Sequence, residues 1–495
     1  MKIINYLNTL LILFILLLSF SCSDDKVDPK TSNKEENITG EEAVNNWIYG
    51  IMDEWYLWYD EMPQSSTLNY LSNSQEFYKS LLIKSKDGVT INNTFYYFST
   101  LEETKATKAT SENSTYGIYY VDYNDEANNR HYFQILYVIP NSPADKSDLK
   151  RGDIIYEIND KPITASDNLL SGSAVSLTLV DSHINVVNKI YFTKRADKIA
   201  LGSSEDMNDV IIKDTIIDKG EKKIAYLVYN SFETGRNNED NAYNTHLCKI
   251  FKGFKDGGVN EMVLDLRYNG GGRLTCALML ASMLAPEQDL NNEGEFARLK
   301  YNDKKTTSIF GSSAINYYSD KFDKNYYSAS SKTYNYTNSD GANLNLKRLY
   351  VLVGGNTASA SELIINGLKP YYDVTIIGTK TIGKNVGSNE YTNSTKTWKM
   401  HPITFDIYNK NMENDYDDGF IPDIEVDELD PNFINVIDFG DANEPLLKAA
   451  IEKIMGTYKA IKDTKSTSLA KNSNIKVVGT SSPIKSLLVN DCKRK

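Results

Sequence analysis

The stretch from Arg348 to Glu390, RLYVLVGGNTASASELIINGLKPYYDVTIIGTKTIGKNVGSNE, decides the fold. Leu349–Val353 is an apolar, β-branched run that stops at Gly354-Gly355, the pattern of a buried strand entering a turn. Ser359 to Leu368 places Leu363, Ile364 and Leu368 on one helical face, and Val374–Gly378 is a second buried strand. Working back from there, Ile224–Phe232 alternates like a strand. Asp240–Gly258 carries Tyr243, Leu247, Ile250, Phe251 and Phe254 on one helical face, with Gly257-Gly258 as its stop. Glu261–Leu266 is a buried strand, Arg267–Gly272 a Gly-rich turn and Leu274–Ala285 a helix. This strand/helix alternation predicts a mixed α/β domain.

Two reactive groups lie in the opening stretch: Ser359 at a helix start and Lys384 in a Gly-flanked loop. A serine hydroxyl needs an adjacent base, and a lysine serves as one when burial disfavours its charge. A helix N-terminus offers unpaired N–H groups to an oxyanion. The same residues carry a plainer reading. Ser359-Ala360-Ser361-Glu362 is an S-x-x-E capping box, and a loop lysine is commonly solvated.

The bulk numbers narrow the classes. The chain has 495 residues, room for two or three domains, and a net charge of −12 that argues against nucleic acid as the main partner. Its 41% hydrophobic and 24% charged content is that of an ordinary globular protein. There is no HExxH and no paired CxxC, so no metal or cofactor is expected. Cys248, Cys276 and Cys492 are too few and too widely spaced for a disulfide framework, and the first two read as buried small hydrophobes.

Residues 1–21 hold Lys2 and an almost unbroken apolar run from Leu10 to Phe20, too short for a comfortable membrane span and consistent with a secretion signal. Cys22 after Ser21 resembles a bacterial lipoprotein site, although Ser19 stands where that pattern usually has Leu. The resemblance implies lipidation of Cys22 and membrane attachment, with a cell-envelope location. Residues 22–40 are polar and read as a flexible tether. Residues 41–101 carry Trp47, Ile51, Trp55 and Trp58 at helical spacing and a second helical piece at Gln75–Ser85, a small helical domain. Glu102–Ser114 is a charged, Thr/Ser-rich boundary. Ser203–Gly220 reads as a connector. Glu287–Asn345 is polar and too long for a simple connection, so an inserted hairpin or lid is expected. Asn443–Met455 is a closing helix, and residues 456–495 form a basic tail.

Several of these motifs together resemble the C-terminal processing peptidases, also called tail-specific proteases. Thr357-Ala358-Ser359-Ala360-Ser361-Glu362, Gly383-Lys384 and Asp265-Leu266-Arg267-Tyr268-Asn269-Gly270-Gly271-Gly272 match that family's pattern, and Gly419–Ile424 is similar to a later structural segment of it. The resemblance covers roughly Tyr116 to Val426. It implies that Ser359, not Ser361, is the nucleophile and that Lys384 is the base. It also implies that the N–H groups of Ala360 and of Gly271, or Gly270, hold the oxyanion. The family often has Gln four residues after the lysine. Here that third catalytic position is Ser388, a hydroxyl that can accept one hydrogen bond from an amine, with Asn385 or Glu390 as substitutes.

Tyr116–Lys194 resembles a PDZ domain through Tyr116-Gly117-Ile118-Tyr119, Asn141-Ser142-Pro143-Ala144 and Leu149–Ile155. PDZ domains bind chain ends by strand addition, so Tyr116, Gly117, Ile118 and Tyr119 are the expected peptide-binding residues, with the Gly117 loop receiving a terminal carboxylate. The expected fold class is therefore α/β (α+β multidomain): a ClpP/crotonase-like mixed α/β peptidase core at residues 203–455, a PDZ domain at 115–197 and the N-terminal helical domain. The implied activity is that of a serine endopeptidase acting on protein or peptide chain ends. The competing expectation is a non-catalytic peptide- or ligand-binding lipoprotein on the same scaffold.

Overall fold

The computed structural model describes residues 40–91, 93–104, 115–126, 128–167, 169, 174–184, 190–202, 210–236, 240–310, 317–327, 333–335, 341–429, 436–459 and 475–481. The signal-like stretch, Cys22 and almost all of the tether lie outside these residues. Among the described residues no helix is long and apolar enough to cross a membrane.

The N-terminal region opens with α1 (Glu41–Trp55) and α2 (Ser74–Leu81), followed by the strands β1 (Gly88–Ile91), β2 (Thr94–Tyr97) and β3 (Thr100–Glu103). Helix α1 buries Ile48, Ile51 and Met52 and stops at Tyr56, so Trp58 lies beyond the expected helix. Helix α2 starts where the Asn73 side chain accepts the N–H groups of Gln75 and Glu76, which would otherwise lack partners. The region is thus not purely helical, contrary to the expectation. β1 and β2 form a hairpin, and β3 pairs with Trp398–His401 far along the chain. Pairing with a distant strand supplies the ladder that a short Thr/Glu-rich segment could not supply alone.

The region expected to be a PDZ domain consists of β4 (Ile118–Asp125), β5 (Arg130–Val138), β6 (Ile154–Ile158), β7 (Val175–Ile184) and β8 (Ile190–Leu201). They pair in that order as antiparallel neighbours. One face encloses Tyr116, Ile118, Phe133, Ile135, Leu149 and Leu177, and the other packs Tyr123, Tyr132 and Tyr137 against Tyr268 of the following domain.

That domain is built on β9 (Ile211–Lys219), β10 (Lys222–Tyr229), α3 (Ala242–Asp256), β11 (Glu261–Asp265), α4 (Leu274–Leu284), β12 (Glu295–Tyr301), β13 (Arg348–Val353), α5 (Ala360–Leu368), β14 (Asp373–Gly378), β15 (Val386–Ser388), β16 (Trp398–His401), β17 (Ile403–Tyr408), β18 (Ile424–Glu425) and α6 (Pro445–Ile454). Its central sheet has the order β9-β10-β11-β13-β14-β18. β9 and β10 are antiparallel, and every later neighbour is parallel. The parallel strands are largely apolar in their middles, as suits a sheet that helices cover on both faces. α3, α4 and α5 enclose the larger core on one side, and α6 covers Ile224, Tyr226, Val263 and Leu352 on the other. α4 is apolar all round, as a helix must be when it is buried on every side.

Two expectations are corrected here and a third is extended. The supposed connector before Gly220 contains edge strand β9, whose alternating exposure suits a strand packed on one face. The stretch 287–345 does hold the expected hairpin, Asn325–Tyr327 paired antiparallel with Thr333–Asn335, and it also contributes β12 to a second sheet, paired with β17, which also pairs with β15. The C-terminal tail contains β19 (Ile475–Thr480), which pairs with β4.

Candidate active site

Adjacent parallel strands β11, β13 and β14 release their loops at the same edge of the sheet, where α/β proteins usually place their sites. Backbone and side-chain bonds lock the three loops together. Thr357 Oγ1 donates to the Leu266 carbonyl at 2.8 Å, the Ala358 N–H to Asn269 O at 3.2 Å and the Ile382 N–H to Thr357 O at 3.0 Å. Each loop carries one of the expected groups: Gly270 and Gly271 after β11, Ser359 after β13, Lys384 after β14.

Ser359 sits at the head of α5 with φ 58° and ψ −115°, a conformation rare for a residue with a side chain. Such a backbone costs of order 1–3 kcal/mol and persists only where its surroundings enforce it. Its Oγ is buried and faces the Glu362 N–H in a capping-box arrangement, but no full hydrogen bond holds it there. The return half of the motif does form, with the Ser359 N–H donating to Glu362 Oε2 at 2.9 Å. The Ala360 N–H follows at the first helical position, where no helical carbonyl is available to it.

Lys384 is completely buried, and its Nζ also has no hydrogen-bond partner. Burial pulls the amine down to about 7, against the opposing pull of the Asp87 and Glu362 carboxylates. Nζ lies 5.3 Å from the centre of the Phe98 ring. The serine and lysine heads therefore lie unpaired and do not hydrogen-bond to each other in this state. Catalytic hydrogen bonds are often long before substrate arrives.

Glu362 joins the two. Its carboxylate accepts the N–H of Ser359, the N–H of Lys384 at 2.8 Å, the N–H of Gly383 at 2.7 Å and the Thr381 hydroxyl at 2.5 Å. Burial pushes this carboxyl up to about 7, but four donors occupy the lone-pair sites a carboxylate has. The sequence marked Glu362 only as the end of a capping box. Gly383 cannot be exchanged without moving this loop, because at φ 95° a Cβ would lie 2.4 Å from the Asp417 carbonyl.

The remaining walls come from the N-terminal region, which no local motif signalled. Asp87 is buried and accepts the Tyr56 hydroxyl at 2.8 Å and the Ser99 N–H at 2.9 Å. The core formed by α1, α2 and β3 continues into Ala358, Ile382 and Val386, which flank the serine and the lysine.

Two expected residues stand differently. Gly271 packs directly against Ser359, since a Cβ there would lie 2.8 Å from Ser359 Cβ. Its N–H, however, donates to Asn269 Oδ1 at 2.8 Å, and Gly270 is the other member of the expected pair. Ser388 is buried at the end of β15 opposite Ile403, but the unpaired Lys384 Nζ shows that it does not hydrogen-bond the amine. Around the expected peptide-binding loop, Gly117 has φ 79°, Tyr116 and Ile118 are buried, and Tyr119 stacks on Tyr137 with ring centres 4.3 Å apart.

A second buried cluster ties the loop after β11 to the β4–β8 domain. Arg267 donates to Asp265, Glu428 and Glu444, and Arg151 donates to Glu428 at 2.7 Å and to the Tyr268 hydroxyl at 2.9 Å.

Comparison with known proteins agrees with this architecture. Residues 223–426 match the model of peptidase family S41, residues 43–100 that of the peptidase S41 N-terminal domain and residues 134–180 that of a PDZ domain. A solved putative S41 protease from Bacteroides fragilis is 30% identical, with a TM-score of 0.71, and the match covers 87% of this chain and 100% of that one. A carboxyl-terminal-processing protease from Picosynechococcus is 25% identical over 265 residues, 51% of each chain. A probable CtpA-like serine protease from Staphylococcus aureus is 25% identical over 319 residues, 61% of this chain and 52% of that one. The match thus spans about half the length of these two curated relatives. With its N-terminal, PDZ and core segments all matched and a full-length structural relative at this identity, the chain belongs to peptidase family S41.

Proposed function

We propose that the protein is a serine endopeptidase of the C-terminal processing type, with Ser359 as nucleophile and Lys384 as general base. The observation that carries this is the pair of buried, unpartnered polar heads hung by their backbones on one carboxylate, Glu362. A protein does not leave a hydroxyl and an amine unsatisfied in its interior without a cost of about 1–3 kcal/mol each, so their retention points to use. Burial supplies the neutral amine that a base requires. As substrate binds, the amine and hydroxyl come within hydrogen-bond reach, about 3 Å. Lys384 takes the Ser359 proton as Oγ attacks the peptide carbonyl. The oxyanion is held by the Ala360 N–H and by the Gly270 N–H. Lys384 then protonates the leaving amine, and water, deprotonated by the same lysine, releases the acyl group.

The β4–β8 domain is proposed to receive substrate chain ends, and Cys22 to anchor the protein in the cell envelope. The first point is tested with an unstructured protein substrate. The wild type cleaves it, and Ser359→Ala and Lys384→Met do not; undiminished cleavage by both variants would end the proposal. The anchor is tested by mass spectrometry of the mature N-terminus, where an unmodified Cys22 would remove it.

A further inference from the structure

A sheet edge that receives peptides must be open, and in this protein it is not. β4 follows the Tyr116–Tyr119 loop and has β5 on one side. On its other side lies the chain's own β19, antiparallel, with Ile475 opposite Asp125 and Thr480 opposite Val121. Beyond the ladder, the Ser481 N–H donates to the Tyr120 carbonyl at 2.7 Å and the Tyr120 N–H donates to Ser481 Oγ at 2.8 Å. The direction is that of a bound chain end, because the segment runs toward the Gly117 loop as its numbering rises. Its far end also reaches the catalytic machinery. Asn356 Nδ2 donates to Thr480 Oγ1 at 3.1 Å, and Asn356 lies in the loop that ends at Ser359.

We propose that Ile475–Ser481 is a built-in ligand of the β4 edge, seated between that edge and the nucleophile loop, which an incoming chain end must displace. The side-chain contacts fit a displaceable ligand. Val477 and Val478 are 43% and 47% exposed, so little apolar surface holds the segment. The Lys476–Glu126 ion pair is also exposed, and such pairs contribute little. What holds it is main-chain pairing, which any extended peptide can offer equally. The advantage of the tail is that it is tethered, which gives it a high effective concentration. This inference rests on the reading of β4 as the peptide-receiving edge.

The test uses a fluorescein-labelled, amidated peptide of sequence Ile475–Ser481. It is titrated by fluorescence anisotropy against Ser359→Ala protein, so that no cleavage intrudes. The full chain should bind it weakly, and the chain ending at residue 474 roughly tenfold or more tightly. Ser481→Pro in the full chain removes both Tyr120 bonds. It should raise binding over the full chain, and it carries the test if the shortened chain fails to fold, which thermal melting reports. Equal binding to all three proteins overturns the proposal. So does a wild-type chain that trims itself within 475–481 where Ser359→Ala does not, since the segment would then be a substrate. Because binding is read in an inactive variant, absence of peptidase activity leaves this result intact and bears only on the proposed function.

Discussion

Two buried polar clusters flank Asn269 and are built in opposite ways. In the Arg267 cluster every guanidinium N–H is used: Nε and Nη2 reach Asp265, Nη1 reaches Glu428 and Glu444, and Nη2 also reaches Glu444. Burial would push the Glu428 carboxyl up, yet Arg267 and Arg151 together hold it at about 2. In the Lys384 pocket the three amine donors meet no acceptor, and an aromatic ring lies where one could have been. Equal burial thus gives a locked cation in one place and an amine lowered to about 7 in the other. The difference is whether compensation was provided. The first arrangement fixes a domain junction, and the second leaves an amine free to serve as the proposed base.

Removing each cation should separate the two roles most widely. Lys384→Met should reduce cleavage by on the order of 10⁴-fold or more, while thermal melting stays level or rises, because a desolvated amine is replaced by an apolar chain of similar length. Arg267→Met should do the reverse in character, costing about 3–5 kcal/mol in urea unfolding because three carboxylates are left facing one another. If Lys384→Met unfolds the protein as readily as Arg267→Met, the contrast is wrong.

Glu362→Gln should fall between them. It places an NH₂ where backbone N–H donors now point, and should lower kcat by roughly 10–100-fold, about 1.4–2.7 kcal/mol, with KM little changed. An unchanged kcat would remove Glu362 from the machinery. The pH profile sharpens the same point. With Lys384 near 7, the reactive form is the free amine, so the rate should rise as pH passes upward through about 7 and be lost below it. Asp87 favours the ammonium, so Asp87→Asn should move that rise to lower pH; a shift upward, or none, would exclude its influence.

The smallest effect is on acid stability. Glu428 titrates at about 2 when folded against an ordinary 4.5, so its contribution is present above about 4.5 and is lost as pH falls toward 2. Arg151→Met should weaken that acid-range slope in urea titrations.

How much of this could be read beforehand depended on distance along the chain. Leu349–Val353, Ser359 and Lys384 were legible because strand, helix and loop each announce themselves within a few residues. Glu362 was visible only as a cap, since its second task, holding the Lys384 loop, is a tertiary contact. Asp87 and Phe98 were invisible because they reach the lysine from another domain and have no motif of their own. β9 and β19 escaped notice for a related reason. They are edge strands whose apolar residues lie within polar surroundings, and pairing with β10 and β4 makes them strands.

One atom, Glu362 Oε2, receives the backbone N–H groups of both Ser359 and Lys384. The two are therefore geared: a shift of the helix head drags the amine's loop with it, and half-assembled states with one partner astray are disfavoured. An enzyme hinged in this way is poorly suited to graded adjustment of its chemistry. Control then falls to what is admitted at the β4 edge, which the proposed tail ligand Ile475–Ser481 covers.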